Sequence, residues 1–220
     1  MNTTSALKEK AYNHMRKLIL DGVLEEGKVY SERQFSTELG ISRTPYHSAL
    51  MELESEGYVD ILPSRGFQIH ELNKADIDET YEIRASIEFF CLYTLTRDYQ
   101  AGLASAKKVV AQLEDSLKKQ KEVAETTGDL DRFLKVDVAF HETIVGYTKN
   151  AVLRQNFQAR MYKIRKLART SLEHEGRMAQ TLAEHQAIYD AVLSGSYNDL
   201  VESTMTHFHV PRHINLSDLK

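Results

Sequence analysis

Four residues with metal-binding side chains lie on otherwise apolar helical stripes in the second half of the chain. Asp137 and His141 are spaced i,i+4, so on a helix they are neighbours on one face. His185 and His207 each interrupt a stripe of mostly apolar residues. A buried carboxylate without a partner is unfavourable, whereas one Asp and three His that point into a helical bundle suit a divalent ion such as Zn²⁺, Ni²⁺ or Mn²⁺. The pattern fits a metal site and also fits hydrogen-bonded core histidines, and no compact metal-binding motif decides between the two.

Arg84 is a candidate for binding an anion near these residues. It shares one helical stripe with Tyr81, Glu88 and Cys91. A guanidinium can hold a small carboxylate through two parallel hydrogen bonds. An i,i+4 salt bridge between Arg84 and Glu88 would use the same side chain, and both interpretations stay open.

The elements that must position these residues are mainly helical. The first part of the chain has the pattern of three helices followed by two short strands, "YVDIL" and "FQIHEL", around a "PSRG" turn. This is the order of a winged helix-turn-helix. The predicted fold is mainly α, with a winged helix-turn-helix domain over residues 1–72 and an antiparallel all-helical bundle of about six helices over residues 73–220. The predicted bundle helices are 74–98, 102–125, 129–147, 150–172, 176–193 and 196–209.

The stretch "LGISRTPYHSAL" places a proline inside a helical pattern. With Ser42 as N-cap, Pro45 falls in the first turn, where the amide that proline lacks has no helical partner. The same turn projects Arg43 and Thr44 from a helix N-terminus, which favours a phosphate, as a recognition helix does in the major groove. The acidic "MELESEG" that follows would repel DNA, so only the leading end can enter the groove. Patterning alone leaves an ordinary three-helix domain as the alternative.

Composition limits the classes of protein that remain. Hydrophobic residues are 42% and charged residues 27% of the 220 residues, as in an ordinary globular protein. One cysteine excludes an internal disulfide, and no apolar segment is long enough for a signal peptide or a membrane span, which favours a cytoplasmic protein. Net charge is −4, and residues 1–71 carry 8 basic against 11 acidic side chains, so a DNA-binding surface must be locally basic.

The segment "SERQFSTELGISRTPYHSALMELESEGYVDILPSRGFQIHEL" resembles the DNA-binding domain of the GntR family of bacterial transcription regulators. In that family the residues that match Arg33, Arg43 and His47 contact bases or phosphates. The wing glycine that matches Gly66 enters the minor groove. The resemblance implies a DNA-binding set of Arg33, Ser42, Arg43, Thr44, His47, Arg65 and Gly66.

Two departures from the family pattern matter here. The family usually has arginine at the position of His47, and "PG" at the position of Glu26-Gly27. Arginine makes a bidentate contact with guanine that a neutral histidine cannot copy. The preferred operator sequence therefore depends on His47.

The segments "DVAFHETIV", "AEHQAIYDAVLSG" and "VESTMTHFH" resemble the helical FCD effector-binding domain of GntR regulators. His209 is an alternative to His207, but the spacing from Gly195 and the helical periodicity favour His207. About six helices suggest the shorter, VanR-like subgroup. Coordination positions that the protein leaves open could accept a small carboxylate effector. The resemblance implies metal ligands at Asp137, His141, His185 and His207.

These expectations combine into a dimeric, ligand-responsive transcription regulator, expected to be a repressor, that binds a near-palindromic double-stranded DNA operator. A divalent metal and a small organic acid in the bundle would modulate operator affinity. One rival is a metal-dependent hydrolase-like enzyme that activates water at the Asp/His site. It is disfavoured because no carboxylate stands out as a general base and a DNA-binding module would have no purpose. The other rival is a metal-free helical interaction protein with structural histidines.

Overall fold

The computed structural model describes residues 3–219, and these form ten helices and one two-stranded sheet. They divide into two compact units between Leu72 and Asn73. The predicted fold class, mainly α with a winged helix-turn-helix and a helical bundle, is confirmed. Within the described residues, no helix is long and apolar enough to cross a membrane.

The first unit consists of three helices and a β-hairpin wing. Its elements are α1 (Thr3–Leu20), α2 (Glu32–Glu38), α3 (Arg43–Ser55), β1 (Val59–Leu62) and β2 (Gly66–Ile69). Helices α1 and α3 pack against each other, and the Tyr46 hydroxyl donates a hydrogen bond to the Met15 sulfur at 2.7 Å. The strands pair antiparallel, with Val59 opposite Ile69. Helix α3 also packs against β1, so the start of α3 and the wing belong to one packed unit.

Helix α3 begins where the sequence predicts. Its first residue is Arg43, so Pro45 lies in the first turn, where it is buried. Ser42 occupies the N-cap position, but its side chain makes no capping hydrogen bond. The Ser31 hydroxyl of α2, by contrast, accepts the Gln34 backbone N–H at 3.3 Å. The predicted N-cap position of Ser42 is therefore confirmed, but its side chain does not cap the helix.

The wing requires a glycine at the start of β2. Tyr30 pairs with Phe67 through two backbone hydrogen bonds of 2.7 and 3.0 Å, which brings the chain before α2 onto the strand. Gly66 has φ +123°, and a Cβ there would lie 2.0 Å from the Tyr30 carbonyl oxygen. Because no side chain fits at that distance, Gly66 shapes the wing itself.

The second unit contains seven helices within the described residues, not the predicted six. They are α4 (Lys74–Gln100), α5 (Ala104–Thr126), α6 (Leu130–Gly146), α7 (Ala151–Gln158), α8 (Met161–Leu172), α9 (Arg177–Ser194) and α10 (Tyr197–Asp218). The predicted helix 150–172 is divided because Arg160 leaves helical geometry, with φ −106° and ψ 4°. No glycine or proline marks the break, and Phe157 and Met161 on either side are both buried. The helix count that favoured the VanR-like subgroup is therefore wrong.

Helix α10 continues to Asp218, beyond its predicted end at residue 209, with Pro211 in its interior. A proline removes one helical hydrogen bond. The Asn215 side-chain amide lies within hydrogen-bond distance of the Pro211 carbonyl (2.8 Å), the Leu167 carbonyl (3.1 Å) and the Tyr81 hydroxyl (3.0 Å). These contacts hold the end of α10 against α4 and α8 past the proline.

Candidate functional site

The structure brings three of the predicted ligands together inside the bundle. His141 on α6, His185 on α9 and His207 on α10 are buried, and one ring nitrogen from each lies within 4.8 Å of the others. The Nε2 atoms of His141 and His207 are 3.3 Å apart. His209, the alternative to His207, is exposed. These three residues, His141, His185 and His207, form what we call the histidine cluster.

Each histidine of the cluster is held by a hydrogen bond at Nδ1. His141 Nδ1 lies 2.5 Å from Glu88 Oε2, and His207 Nδ1 lies 2.9 Å from Glu184 Oε2. His185 Nδ1 lies 2.8 Å from the amide oxygen of Gln120. Carboxylate and amide oxygens only accept hydrogen bonds, so each Nδ1 carries the hydrogen and each Nε2 presents a lone pair.

The lone pairs of the cluster are placed as metal ligands would be. Two nitrogens bound at ~2.1 Å to one ion lie about 3.0–3.4 Å apart at octahedral or tetrahedral angles, and the His141–His207 separation is 3.3 Å. His185 Nε2 is buried and has no hydrogen-bond partner among the described residues. Without a cation, lone pairs at this distance repel each other. The three side chains therefore fit a divalent ion that prefers imidazole.

The protonation state of the cluster also suits a cation. Burial lowers the pKa of all three histidines well below the ordinary value. The Arg84 charge lowers the pKa of His141 further, and the neighbouring rings do so for His185 and His207. The neutral imidazoles that result are the form that binds metal.

Asp137 lies beside the cluster and not within it. Its Oδ1 is 3.7 Å from His185 Nε2, and it is not part of the group whose ligand atoms all lie within 4.8 Å of one another. Burial raises the pKa of the Asp137 carboxyl to about 7, while Arg84 acts in the opposite direction. A bound cation would favour the ionised form of this carboxyl.

Two buried arginines flank the cluster, and the sequence predicted one of them. Arg84 Nε donates to Glu88 at 3.0 Å, so the salt-bridge interpretation is correct, yet its Nη2 has no partner among the described residues. Arg177 was missed: its two terminal nitrogens bind both oxygens of Glu184 at 2.7 and 2.8 Å. The i,i+7 spacing of Arg177 and Glu184 on α9 was the signal that could have found this pair.

A cavity of about 20 Å³ opens beside the cluster, which is room for about one water molecule. Two cationic side chains, Arg84 and Arg177, line it together with the Asp137 carboxyl. An organic acid is larger than this cavity, so the side chains that line the cavity would have to move to admit one. The lining of the cavity includes Tyr81, Arg84, Asp137, His141, Arg177, Thr181 and His207.

The first unit carries a separate groove of about 710 Å³ between the start of α3 and the wing. Six of the seven predicted DNA-binding residues line it, and Ser42 is not among them. We call it the reading groove. The six are Arg33, Arg43, Thr44, His47, Arg65 and Gly66.

A carboxylate that the sequence analysis did not select lies at the base of the reading groove. Glu32, the first residue of α2, is nearly buried. Its carboxylate accepts a hydrogen bond from His47 Nδ1 at 3.2 Å and pairs with Arg43 Nε at 3.7 Å. Two side chains that point into the groove are thus held by one acid.

Comparison with known proteins assigns the chain to a family. The sequence profile of the gntR family of bacterial regulatory proteins matches residues 7–69, and that of the FCD domain matches residues 79–210. The chain belongs to the GntR family of transcription regulators. Its helical unit is an FCD domain, as the motifs around Asp137, His185 and His207 predicted.

Curated relatives of this GntR regulator are also named as transcription regulators. One, from the TAR-I ttuE–ttuC′ intergenic region of Agrobacterium vitis, is 34% identical over 135 residues, or 61% of this chain and 77% of that protein. The transcriptional repressor RspR of Escherichia coli is 24% identical over 206 residues, or 94% of this chain and 87% of RspR. A GntR regulator structure from Rhodococcus superposes with TM-score 0.74 at 17% identity and covers 98% of this chain and 100% of that one, which shows the shared fold.

Proposed function

We propose that this GntR regulator is a cytoplasmic repressor that binds a near-palindromic operator as a homodimer. In this proposal its FCD domain holds a divalent metal, and a small carboxylate bound there changes the affinity for DNA. The observation that carries the proposal is the convergence of three buried imidazoles in a member of a regulator family, with the Nε2 atoms of His141 and His207 3.3 Å apart.

The reading groove supports the DNA-binding part of the proposal. Arg43 and Thr44 project from the first turn of α3, where backbone N–H groups favour a phosphate and side chains can reach base edges in the major groove. Arg33 and His47 extend the same surface. Ser42, whose hydroxyl makes no capping bond, is free to donate to a phosphate oxygen.

The wing would enter the adjacent minor groove with Arg65 and Gly66. The backbone hydrogen bonds between Tyr30 and Phe67 hold β2 in place, and an arginine is well suited to the negative potential of a narrow minor groove. Two such units related by a two-fold axis would read two half-sites about one helical turn apart. The name of RspR as a repressor supports repression here as well.

His141, His185 and His207 would hold the metal, with Asp137 as the fourth ligand. A divalent ion bound there would supply a Lewis-acidic anchor for a carboxylate oxygen. The unpartnered Nη2 of Arg84 would bind the effector beside it.

The hydrogen bonds around the cluster favour binding over catalysis. Each oxygen of Glu88 is engaged, one by Arg84 and one by His141. Both oxygens of Glu184 are engaged by Arg177, and one also by His207. Neither acid is therefore available as the general base that a hydrolase would need.

The test has two stages. Selection from random double-stranded DNA with the full-length protein should return a two-fold symmetric site, and fluorescence anisotropy then measures affinity for that site. With zinc-loaded protein, at least one acid in a panel of small carboxylates should change affinity by about 5- to 150-fold. If no DNA sequence is enriched, the proposal of sequence-specific operator binding is refuted. If no acid in the panel changes the affinity for DNA, the proposal of a small-carboxylate effector is refuted.

A further inference from the structure

The three histidines of the cluster are not held alike. Glu88 and Glu184, which hold His141 and His207, are carboxylates that are each paired with a buried arginine. The residue that holds His185 is Gln120, which carries no charge. One ligand therefore depends on an amide where the other two depend on an ion-paired acid.

Gln120 lies on α5, a helix that contributes none of the three histidines. Its side chain is completely buried, with Oε1 2.8 Å from His185 Nδ1. Its Nε2 has no hydrogen-bond partner among the described residues. A buried amide with an unpaired N–H is unfavourable, so packing alone would be better served by leucine at this position.

The hydrogen bond decides which nitrogen of His185 can bind a metal. While the Gln120 oxygen accepts from Nδ1, the hydrogen stays on Nδ1 and Nε2 keeps its lone pair, with Asp137 Oδ1 3.7 Å from Nε2. Rotation of the amide by half a turn would present N–H to Nδ1 instead and move the imidazole hydrogen to Nε2. A carboxylate cannot make this change, because it only accepts.

We propose that Gln120 is a positioning residue that selects the metal-binding tautomer of His185 and thereby sets the metal affinity of the cluster. This inference rests on the proposed metal site. Since a hydrogen-bonded carboxylate makes an imidazole a stronger ligand than an amide does, Gln120 keeps His185 the weakest of the three ligands.

The experiment compares the full-length wild type with Gln120→Leu, Gln120→Glu and, as the control, Gln112→Leu. Gln112 is an exposed glutamine on the same helix. Zinc affinity is measured by competition with a chromophoric chelator, and the electronic spectrum of bound Co²⁺ reports the number of ligands. Gln120→Leu should bind zinc about 10- to 100-fold more weakly, Gln120→Glu at least as tightly as the wild type, and Gln112→Leu unchanged.

A structural role alone would lower the unfolding temperature of Gln120→Leu without changing zinc affinity, and that result overturns the inference. If Gln120→Leu does not fold, the Gln120→Glu variant decides, because a tenfold loss of zinc affinity there contradicts the proposal. A wild type that binds no zinc refutes the metal site itself. If the wild type binds zinc and Gln120→Leu binds it equally tightly, the metal site stands and only the proposed role of Gln120 is refuted.

Discussion

Glu32 and Glu184 are both buried and each joins one arginine to one histidine, but those partners are exposed in one case and buried in the other. Glu32 holds Arg43 and His47 at the reading groove, where those two side chains are 69% and 48% exposed. Glu184 holds Arg177 and His207 in the bundle, where both are almost fully buried.

The difference in burial changes what these similar contacts do. Water screens an exposed pair, which adds little to stability and leaves the side chains free to exchange a protein partner for DNA. A buried charge that loses its partner cannot be solvated, so the network must stay complete. The first arrangement suits a surface that binds a large partner, and the second a site that holds small ions in fixed geometry.

The largest expected effect separates the two acids directly. Glu184→Ala leaves the Arg177 charge buried without a partner and should destabilise the protein by about 3–5 kcal/mol. Glu32→Ala should cost about 1 kcal/mol or less. Urea unfolding of both variants measures the free energies, and equal losses would contradict the comparison.

Arg43→Ala tests the exposed side of the comparison. Loss of a base or phosphate contact should weaken operator binding by about 1–3 kcal/mol, while metal content and unfolding midpoint stay those of the wild type. Gel-shift titration and elemental analysis on the same preparation give both quantities. Unchanged DNA affinity would show that Arg43 makes no contact that contributes to operator binding.

Gly66→Ala should weaken operator binding through backbone geometry. The new Cβ would meet the Tyr30 carbonyl oxygen, so the wing must move, at a strain cost of about 1–3 kcal/mol. Gly22→Ala is the control, because Gly22 also has a positive φ (+67°) but a Cβ there meets nothing within 4 Å. If Gly66→Ala bound the operator as tightly as the wild type, the observed position of the wing would not be needed for DNA binding.

The smallest effect concerns pH in the metal-free protein. The folded pKa values of the three histidines lie below the unfolded value of about 6.5, so the unfolded chain takes up more protons as pH falls and stability is lost. Asp137, with its folded pKa raised to about 7, acts in the opposite direction, but three groups outweigh one.

Between pH 7 and pH 6 the net loss of stability should be on the order of 1 kcal/mol. The urea midpoint of chelator-treated protein at the two pH values measures it. A midpoint that rises toward pH 6 would contradict the assignment of neutral, buried histidines.

The features that the sequence predicted correctly are those that depend on residues within a few turns of the same helix. The start of α3 followed from Pro45 and the preceding Ser42, because both act within one turn. The burial of His141, His185 and His207 followed from helical periodicity, which reports the inward face of a helix without its neighbours.

Features that depend on packing between distant segments were not predictable from the sequence. Gln120 meets His185 across 65 residues, and the helix break at Arg160 has no proline or glycine to mark it. Helix α10 continues past its predicted end at residue 209, where the contacts of Asn215 with α4 and α8 hold it. Tertiary contacts decide these cases, and no single segment contains them.

The metal site at the histidine cluster is tested most directly by the zinc stoichiometry of three proteins: wild type, His207→Ala and His209→Ala. Each is loaded with zinc, dialysed and analysed for metal and protein. The buried His207 belongs to the cluster and the exposed His209 does not, so the account predicts one ion per chain in the wild type and His209→Ala, and a loss of bound zinc in His207→Ala. Equal zinc in all three proteins, or none in the wild type, would contradict it.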